Sequence, residues 1–292
     1  MNAMDRRDFL KYTAAIAAGA GLTAAPAAAE EASTGRPLLK AVQIQMLPGD
    51  LSDVDKFKLA KRCGYTGVEA VPLETLEACK KQADAASEAG ITIHSVLYGW
   101  WPPYLNKDDV AKKAVAEMEH ALRCAKAMGA GAVLMVPSRV TDDYAYGDAY
   151  RDSQALIRKL IPLAKELEVV IAVENVWNKF LLSPLEFARY IDELDSPWVK
   201  AYFDVGNVII YGFSQDWIRT LGKRIAKVHL KDFKRDGYKW ADLGDGDVNW
   251  KQVSAALNEI GYRDFLTPEV RGGDEAWLME LSQRIEKLVK TS

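Results

Sequence analysis

The sequence predicts a single closed (β/α)8 barrel, and three observations carry that prediction. First, short β-branched or aromatic runs alternate eight times with segments of helical period, which is the signature of βα units. Second, Glu174, Asp204, His229 and Glu269 each end such a run, at intervals of 30, 25 and 40 residues. A barrel of about 250 residues divides into eight units of roughly thirty, and its catalytic groups collect where the strands end. Third, residues 45–51 hold only Gly49, so no glycine-rich dinucleotide turn follows the first run and an open doubly wound sheet loses its main support.

The elements read in order as follows. Residues 39–46 form strand one and 52–62 its helix. Strand two is 67–71, and the helix over 75–89 stops at Gly90, placed as a C-terminal glycine should be. Strand three, 91–97, leads through the aromatic loop Tyr98-Gly99-Trp100-Trp101-Pro102-Pro103-Tyr104 into a helix over 108–128, with Asp108 or Asp109 positioned to cap it. Strand four is 132–136, closed by Pro137, and its helix runs from about residue 150 to 167. Residues 169–173 give strand five, and Ser183-Pro184 opens the next helix with a cap and a first-turn proline. Residues 198–203, 225–230 and 265–268 complete strands six to eight, with helices over 214–221, 250–260 and 274–289.

Residues 1–29 are excluded from the fold. Asp5-Arg6-Arg7-Asp8-Phe9-Leu10-Lys11, a small apolar run over 12–25 and then Ala27-Ala28-Ala29 follow the order of a twin-arginine export signal with its cleavage site. The run is too weak to persist as an anchor, which needs about 20 apolar residues. The barrel domain, residues 37–292, is thus expected to be exported, to act in the periplasm or outside the cell, and to keep no membrane association once the signal is removed. From Glu30 onward 263 residues carry a net charge of −4, with no basic stripe. Binding to a phosphate backbone relies on clustered Lys and Arg, so nucleic acid is excluded as a partner. Cys63, Cys79 and Cys124 are odd in number, widely spaced and set in helical patterns, and read as small buried hydrophobes.

Each step from an apolar strand to Glu174, Asp204, His229 or Glu269 puts an ionisable group where it needs a partner. One such residue alone would be a rim salt bridge or a loop cap. Four at strand ends point to convergence on one divalent cation, and three carboxylates with one imidazole suit Mn2+, Mg2+, Co2+ or Zn2+.

Five stretches carry a family resemblance: Ala172-Val173-Glu174-Asn175-Val176-Trp177, Phe203-Asp204-Val205-Gly206-Asn207, Val228-His229-Leu230-Lys231-Asp232, residues 243–250, and Thr267-Pro268-Glu269-Val270. With these motifs the chain resembles the sugar phosphate isomerase/epimerase group, whose barrel is xylose isomerase-like and which includes ketose 3-epimerases. The resemblance implies that Glu174, Asp204, His229 and Glu269 hold the metal and that Glu174 and Glu269 also move the proton. It implies a metal-stabilised enediolate, with one glutamate taking the α-proton and the other returning one to the opposite face. Where epimerases often place a histidine against the sugar this chain has Asn207, and Arg235 matches an arginine that binds sugar hydroxyls. His94 and Glu69 stand ready for sugar hydroxyls, Trp101 and Trp177 for stacking on a pyranose, and Arg139 for the far end of the substrate. His120, set mid-helix, reads as structural.

Three further readings frame this one. The same centre would serve a metal-dependent lyase or dehydratase acting on a 3-keto-sugar or inosose. A non-catalytic sugar-binding barrel would need no turnover. DNA-repair endonucleases of similar architecture gather many histidines around several zinc ions, against three histidines in this whole chain. The aromatic loops leave a homodimer open.

Overall fold

The computed structural model describes residues 38–289, so the twin-arginine segment and its cleavage site lie outside the described residues. Within them, eight parallel strands form one sheet: β1 (Ala41–Gln43), β2 (Gly67–Ala70), β3 (Thr92–Trp100), β4 (Ala132–Val136), β5 (Val170–Glu174), β6 (Val199–Asp204), β7 (Ile225–Leu230) and, last in the chain, β10 (Leu266–Pro268). Lys40 bridges Leu266 in parallel, and the Leu266 amide donates to the Leu39 carbonyl at 2.9 Å, which brings the last strand back to the first. The helices between them are α1 (Asp53–Arg62), α2 (Leu76–Ala89), α3 (Asp108–Met128), α4 (Tyr146–Leu167), α5 (Pro184–Asp192), α6 (Ser214–Leu221), α7 (Trp250–Glu259) and α8 (Glu275–Leu288).

Local chemistry sets most of these boundaries. Ser52, Thr75, Ser183, Asn249 and Asp274 each accept a backbone N–H three residues on, satisfying a donor that the first helical turn leaves unpaired. Gly90 ends α2 in the left-handed region at φ 66°, where a side chain would be strained. The expected cap of α3 is corrected. Lys107 holds the cap position without a side-chain bond, and Asp108 and Asp109 sit in the first turn, where negative charge suits the helix dipole. β1 is shorter than its apolar run, since the backbone tightens into a 3-10 turn over Ile44–Met46, and α4 begins at Tyr146, four residues earlier than the pattern suggests.

Two apolar layers hold the barrel. The larger one packs helices onto the outer sheet face, with Phe57, Met118, Leu122, Ile157, Phe187 and Trp217 almost wholly buried. Inside, Ala132, Leu134 and Ala172 surround Tyr202. Small residues on β4 and β5 leave room for that ring, and its hydroxyl reaches upward to Glu69 at 2.8 Å.

An antiparallel hairpin, β8 (Asp232–Lys234) with β9 (Lys239–Ala241), follows β7 directly and was not expected from the sequence. Its foot is Asp232, buried, whose carboxylate accepts the backbone N–H of Phe233, Gly244 and Val248 and the indole N–H of Trp250 at 2.8–3.2 Å. Gly246 passes so close that a Cβ there would meet Phe233 N at 2.7 Å as well as the Asp232 carboxylate. Asp232→Ala is therefore expected to destabilise the protein by more than about 3 kcal/mol, since each orphaned buried donor costs roughly 1–3 kcal/mol. Urea unfolding checks this, and a loss below about 1 kcal/mol would contradict the role assigned to this carboxylate.

Candidate metal centre

Glu174 and Asp204 are the last residues of β5 and β6, His229 is the penultimate residue of β7, and Glu269 follows β10. Neighbouring strand ends therefore converge: the four side chains each offer one ligand atom, all within 4.8 Å of one another. His229 Nδ1 lies 3.1 Å from Glu174 Oε1 and 3.2 Å from Glu269 Oε2. Asp204 Oδ1 accepts the Asn207 N–H at 2.7 Å, while Oδ2 is buried and has no hydrogen-bond partner. A buried carboxylate oxygen lacking a donor, beside two more carboxylates and an imidazole nitrogen, is a donor set that a divalent cation would complete.

The backbone around these groups is braced. Asn175 and the end of β6 exchange two bonds, its amide donating to the Asp204 carbonyl at 3.1 Å and its oxygen accepting the Asp204 N–H at 3.0 Å. Asn207 donates its side-chain amide to the Asn175 carbonyl at 2.8 Å, and its own carbonyl accepts the Trp177 indole N–H at 2.8 Å.

Electrostatics separate the carboxyls. Burial pushes the Glu174 carboxyl well up, and nearby Glu269 adds to this against the hydrogen bond from His229. At Glu269 burial acts in the same upward sense but is outweighed by His229 and Lys231, which hold that carboxyl below its usual range. Asp204 is raised by burial, with Lys231 opposing.

Glu69 and His94 are placed differently from the sequence expectation. Glu69 is fully buried beneath the centre, and its two oxygens take four partners: Gln43 Nε2 at 3.0 Å, Ser95 Oγ at 2.9 Å, Tyr202 OH at 2.8 Å and His229 Nε2 at 2.8 Å. With its acceptors taken, it has nothing to offer a sugar hydroxyl; it orients His229 so that Nδ1 faces the other three groups. His94, 3% exposed, bonds to Thr267 Oγ1 at 3.1 Å and stacks on Phe265, and burial keeps its ring neutral by lowering its affinity for a proton. The reason lies in β3, where Val68 pairs with Ile93 but Glu69 pairs with Ser95, so a bulge at His94 breaks the alternation.

Other expected contacts also find partners within the protein. Trp101 is 1% exposed and donates its indole N–H to the Ala114 carbonyl at 3.1 Å, so it anchors the loop to α3 instead of meeting a sugar. Asn207 gives its side-chain amide to the Asn175 carbonyl. Arg235 donates to the Ile209 and Gly212 carbonyls at 2.9 and 3.1 Å, fastening the hairpin to the loop after β6. Arg139 lies over the Trp100 ring. Trp177 is half-buried and stacks on Trp240 of β9 at 4.7 Å and 18°, with Phe233 edge-on at 5.2 Å. His120 bonds to the Leu73 carbonyl, as a structural histidine would, and the three cysteines are buried and unpaired in disulfides.

A cavity of about 400 Å³ opens beside Glu269, lined by Lys231, Trp240, Asp242, Val270 and Arg271 among others. Lys231 and Trp240 are the groups that sequence reasoning missed. The signal for the hairpin was present: Asp236-Gly237, a strong turn dipeptide, stands between Asp232-Phe233-Lys234 and Lys239-Trp240-Ala241.

Fold and site together define a barrel whose strand ends gather acids and an imidazole, as in enzymes that act through a bound cation. Residues 57–288 match the family described as Xylose isomerase-like TIM barrel, and the chain belongs to that family. It is similar to SgbU of Escherichia coli K12, 27% identical over 238 residues that cover 74% of this chain and 83% of the relative. It is also similar to the L-ribulose-5-phosphate 3-epimerase UlaE of Escherichia coli SMS-3-5, 23% identical over 74% of this chain and 81% of the relative. Among solved structures, a D-psicose 3-epimerase superposes with a TM-score of 0.72 at 14% identity, over 86% of this chain and 99% of that one. Both of these Escherichia coli relatives carry the name of an L-ribulose-5-phosphate 3-epimerase, an isomerase-class activity. Residues 3–23 match the twin-arginine translocation pathway signal sequence, which directs export by that route. Among the described residues no helix is long and apolar enough to cross a membrane.

Proposed function

We propose that the protein is a divalent-metal-dependent sugar epimerase, similar to the ketose 3-epimerases, in which Glu174, Asp204, His229 and Glu269 hold the cation. The observation that carries this reading is the convergence of their four ligand atoms within 4.8 Å, with Asp204 Oδ2 buried and lacking a donor. When bound, a Mn2+, Mg2+, Co2+ or Zn2+ ion supplies Lewis-acid polarisation of a substrate carbonyl. The chain's own residues do the rest. Glu174 and Glu269 flank His229 Nδ1 at 3.1 and 3.2 Å, so a substrate carbon above the centre has a carboxyl on either side. One removes the proton α to the carbonyl and the other returns a proton to the opposite face, inverting that carbon. Asn175 and Asn207 hold Asp204 still, and Glu69 holds the imidazole.

The cavity beside Glu269 receives the sugar, with Trp240 and Arg271 on its wall. Export supports an unphosphorylated substrate, since phosphorylated sugars are mainly intracellular, and it supports action in the periplasm or beyond. Metal analysis of the mature protein, followed by ketoses and keto-glycosides in deuterated water, tests the proposal. Deuterium at the inverted carbon, lost after chelation and restored by Mn2+ or Co2+, is the expected result. An unsaturated product would replace epimerisation by elimination. Sugar binding that survives Glu174→Gln, with no turnover on any substrate, would leave a binding barrel.

A further inference from the structure

Lys231 stands at the step from β7 to β8, two residues after His229. Its ammonium lies 2.6 Å from Glu269 Oε2 and 3.6 Å from Asp204 Oδ2, and 5.2 Å from the centroid of the Trp240 ring. The side chain is 17% exposed. Its backbone is fixed from behind, because Gly206 packs so tightly that a Cβ there would sit 2.9 Å from the Lys231 carbonyl.

We infer that Lys231 is a tethered competitor for the cation site: its ammonium and a divalent ion draw on the same two carboxylates, so the lysine sets how tightly the centre holds metal. The inference rests on the metal reading of Glu174, Asp204, His229 and Glu269. Three carboxyl groups gathered at this spacing repel one another in a medium of low dielectric, and the Lys231 ammonium beside Glu269 and Asp204 offsets part of that repulsion. The same proximity sets it against a doubly charged ion on Asp204 and Glu269, since like charges at such distances are strongly unfavourable.

Which partner yields follows from the packing. Asp204 is wholly buried and held by Asn207 and Asn175, whereas Lys231 carries a compact charge on a flexible stem. It already lines the cavity next to Trp240, so the ammonium can withdraw along the indole face into that space without moving the backbone. A lysine serving only as a structural ion pair would behave otherwise: its loss would leave metal affinity where it was.

Calorimetric titration of chelator-treated mature protein with Mn2+ separates these cases. Lys231→Met keeps the apolar stem without the charge, and it should bind Mn2+ at least about tenfold more tightly than the wild type, whereas Lys231→Arg should stay within about threefold. In thermal unfolding Lys231→Met should start from a lower midpoint in chelator and gain more on adding Mn2+. Should the Met variant fail to fold, Lys231→Gln gives the same comparison. Unchanged or weaker Mn2+ binding in the uncharged variants overturns this inference alone, while a wild-type protein that takes up no divalent cation overturns the metal reading and this inference together.

Discussion

Glu174→Gln is expected to lower the rate of epimerisation by about 10² to 10⁴-fold at saturating metal, the usual contribution of a positioned acid or base. Glutamine keeps the volume and one oxygen of a side chain that is 5% exposed, so circular dichroism and the unfolding midpoint should change little. The sharper readout is solvent exchange. If the two carboxyls serve opposite faces of one carbon, as proposed, loss of Glu174 stops inversion but leaves Glu269 able to exchange the α-proton of one epimer with deuterated water. Glu269→Gln should do the converse. If either variant still interconverts both epimers at the wild-type rate, the assignment of these two residues fails.

Glu69→Gln is expected to weaken divalent-metal binding by about 10 to 100-fold, the usual effect of removing the carboxylate behind a metal-binding histidine. The amide oxygen can still accept from His229 Nε2, but it no longer offers the imidazole a negative charge 2.8 Å away. Glu69→Leu is the harsher change. It leaves Gln43, Ser95, Tyr202 and His229 without their common acceptor and should destabilise the fold by about 3–5 kcal/mol, as when one partner of a buried pair is removed. Competition against a chelator of known affinity gives the first quantity and denaturant titration the second. Unaltered metal affinity in Glu69→Gln would show that His229 needs no such support.

The barrel was legible because each strand is a short apolar run and several helices carry their own start or stop, as Ser52, Thr75, Gly90 and Ser183-Pro184 show. The convergence of Glu174, Asp204, His229 and Glu269 was legible for a related reason. In a parallel barrel every strand ends on the same rim, so an ionisable residue closing an apolar run has one place to go. What sequence spacing did not convey is where polar groups find partners. Glu69 and His94 resembled rim residues, but the β3 bulge and the small side chains around Tyr202 turn both into the floor. Trp101 belongs to a loop rich in aromatics, and only the approach of α3 shows that its ring is packed away. Lys231 was hidden by its own motif, since nothing in its spacing from His229 tells which way a long flexible side chain will point.

The floor beneath the centre carries one more implication. Barrel interiors are commonly filled with branched apolar side chains, yet here Gln43, Glu69, Ser95, Tyr202, His94 and Thr267 share a bonded network. Replacing such a network wholesale with fitted hydrocarbons is often neutral or favourable for folding, by about 1–4 kcal/mol in known cases. A laboratory search for heat-tolerant variants scored on survival alone would therefore drift toward an oily floor and lose the imidazole's support on the way. Selection for ruggedness in this enzyme belongs on the outer shell, where α1 to α8 meet the sheet.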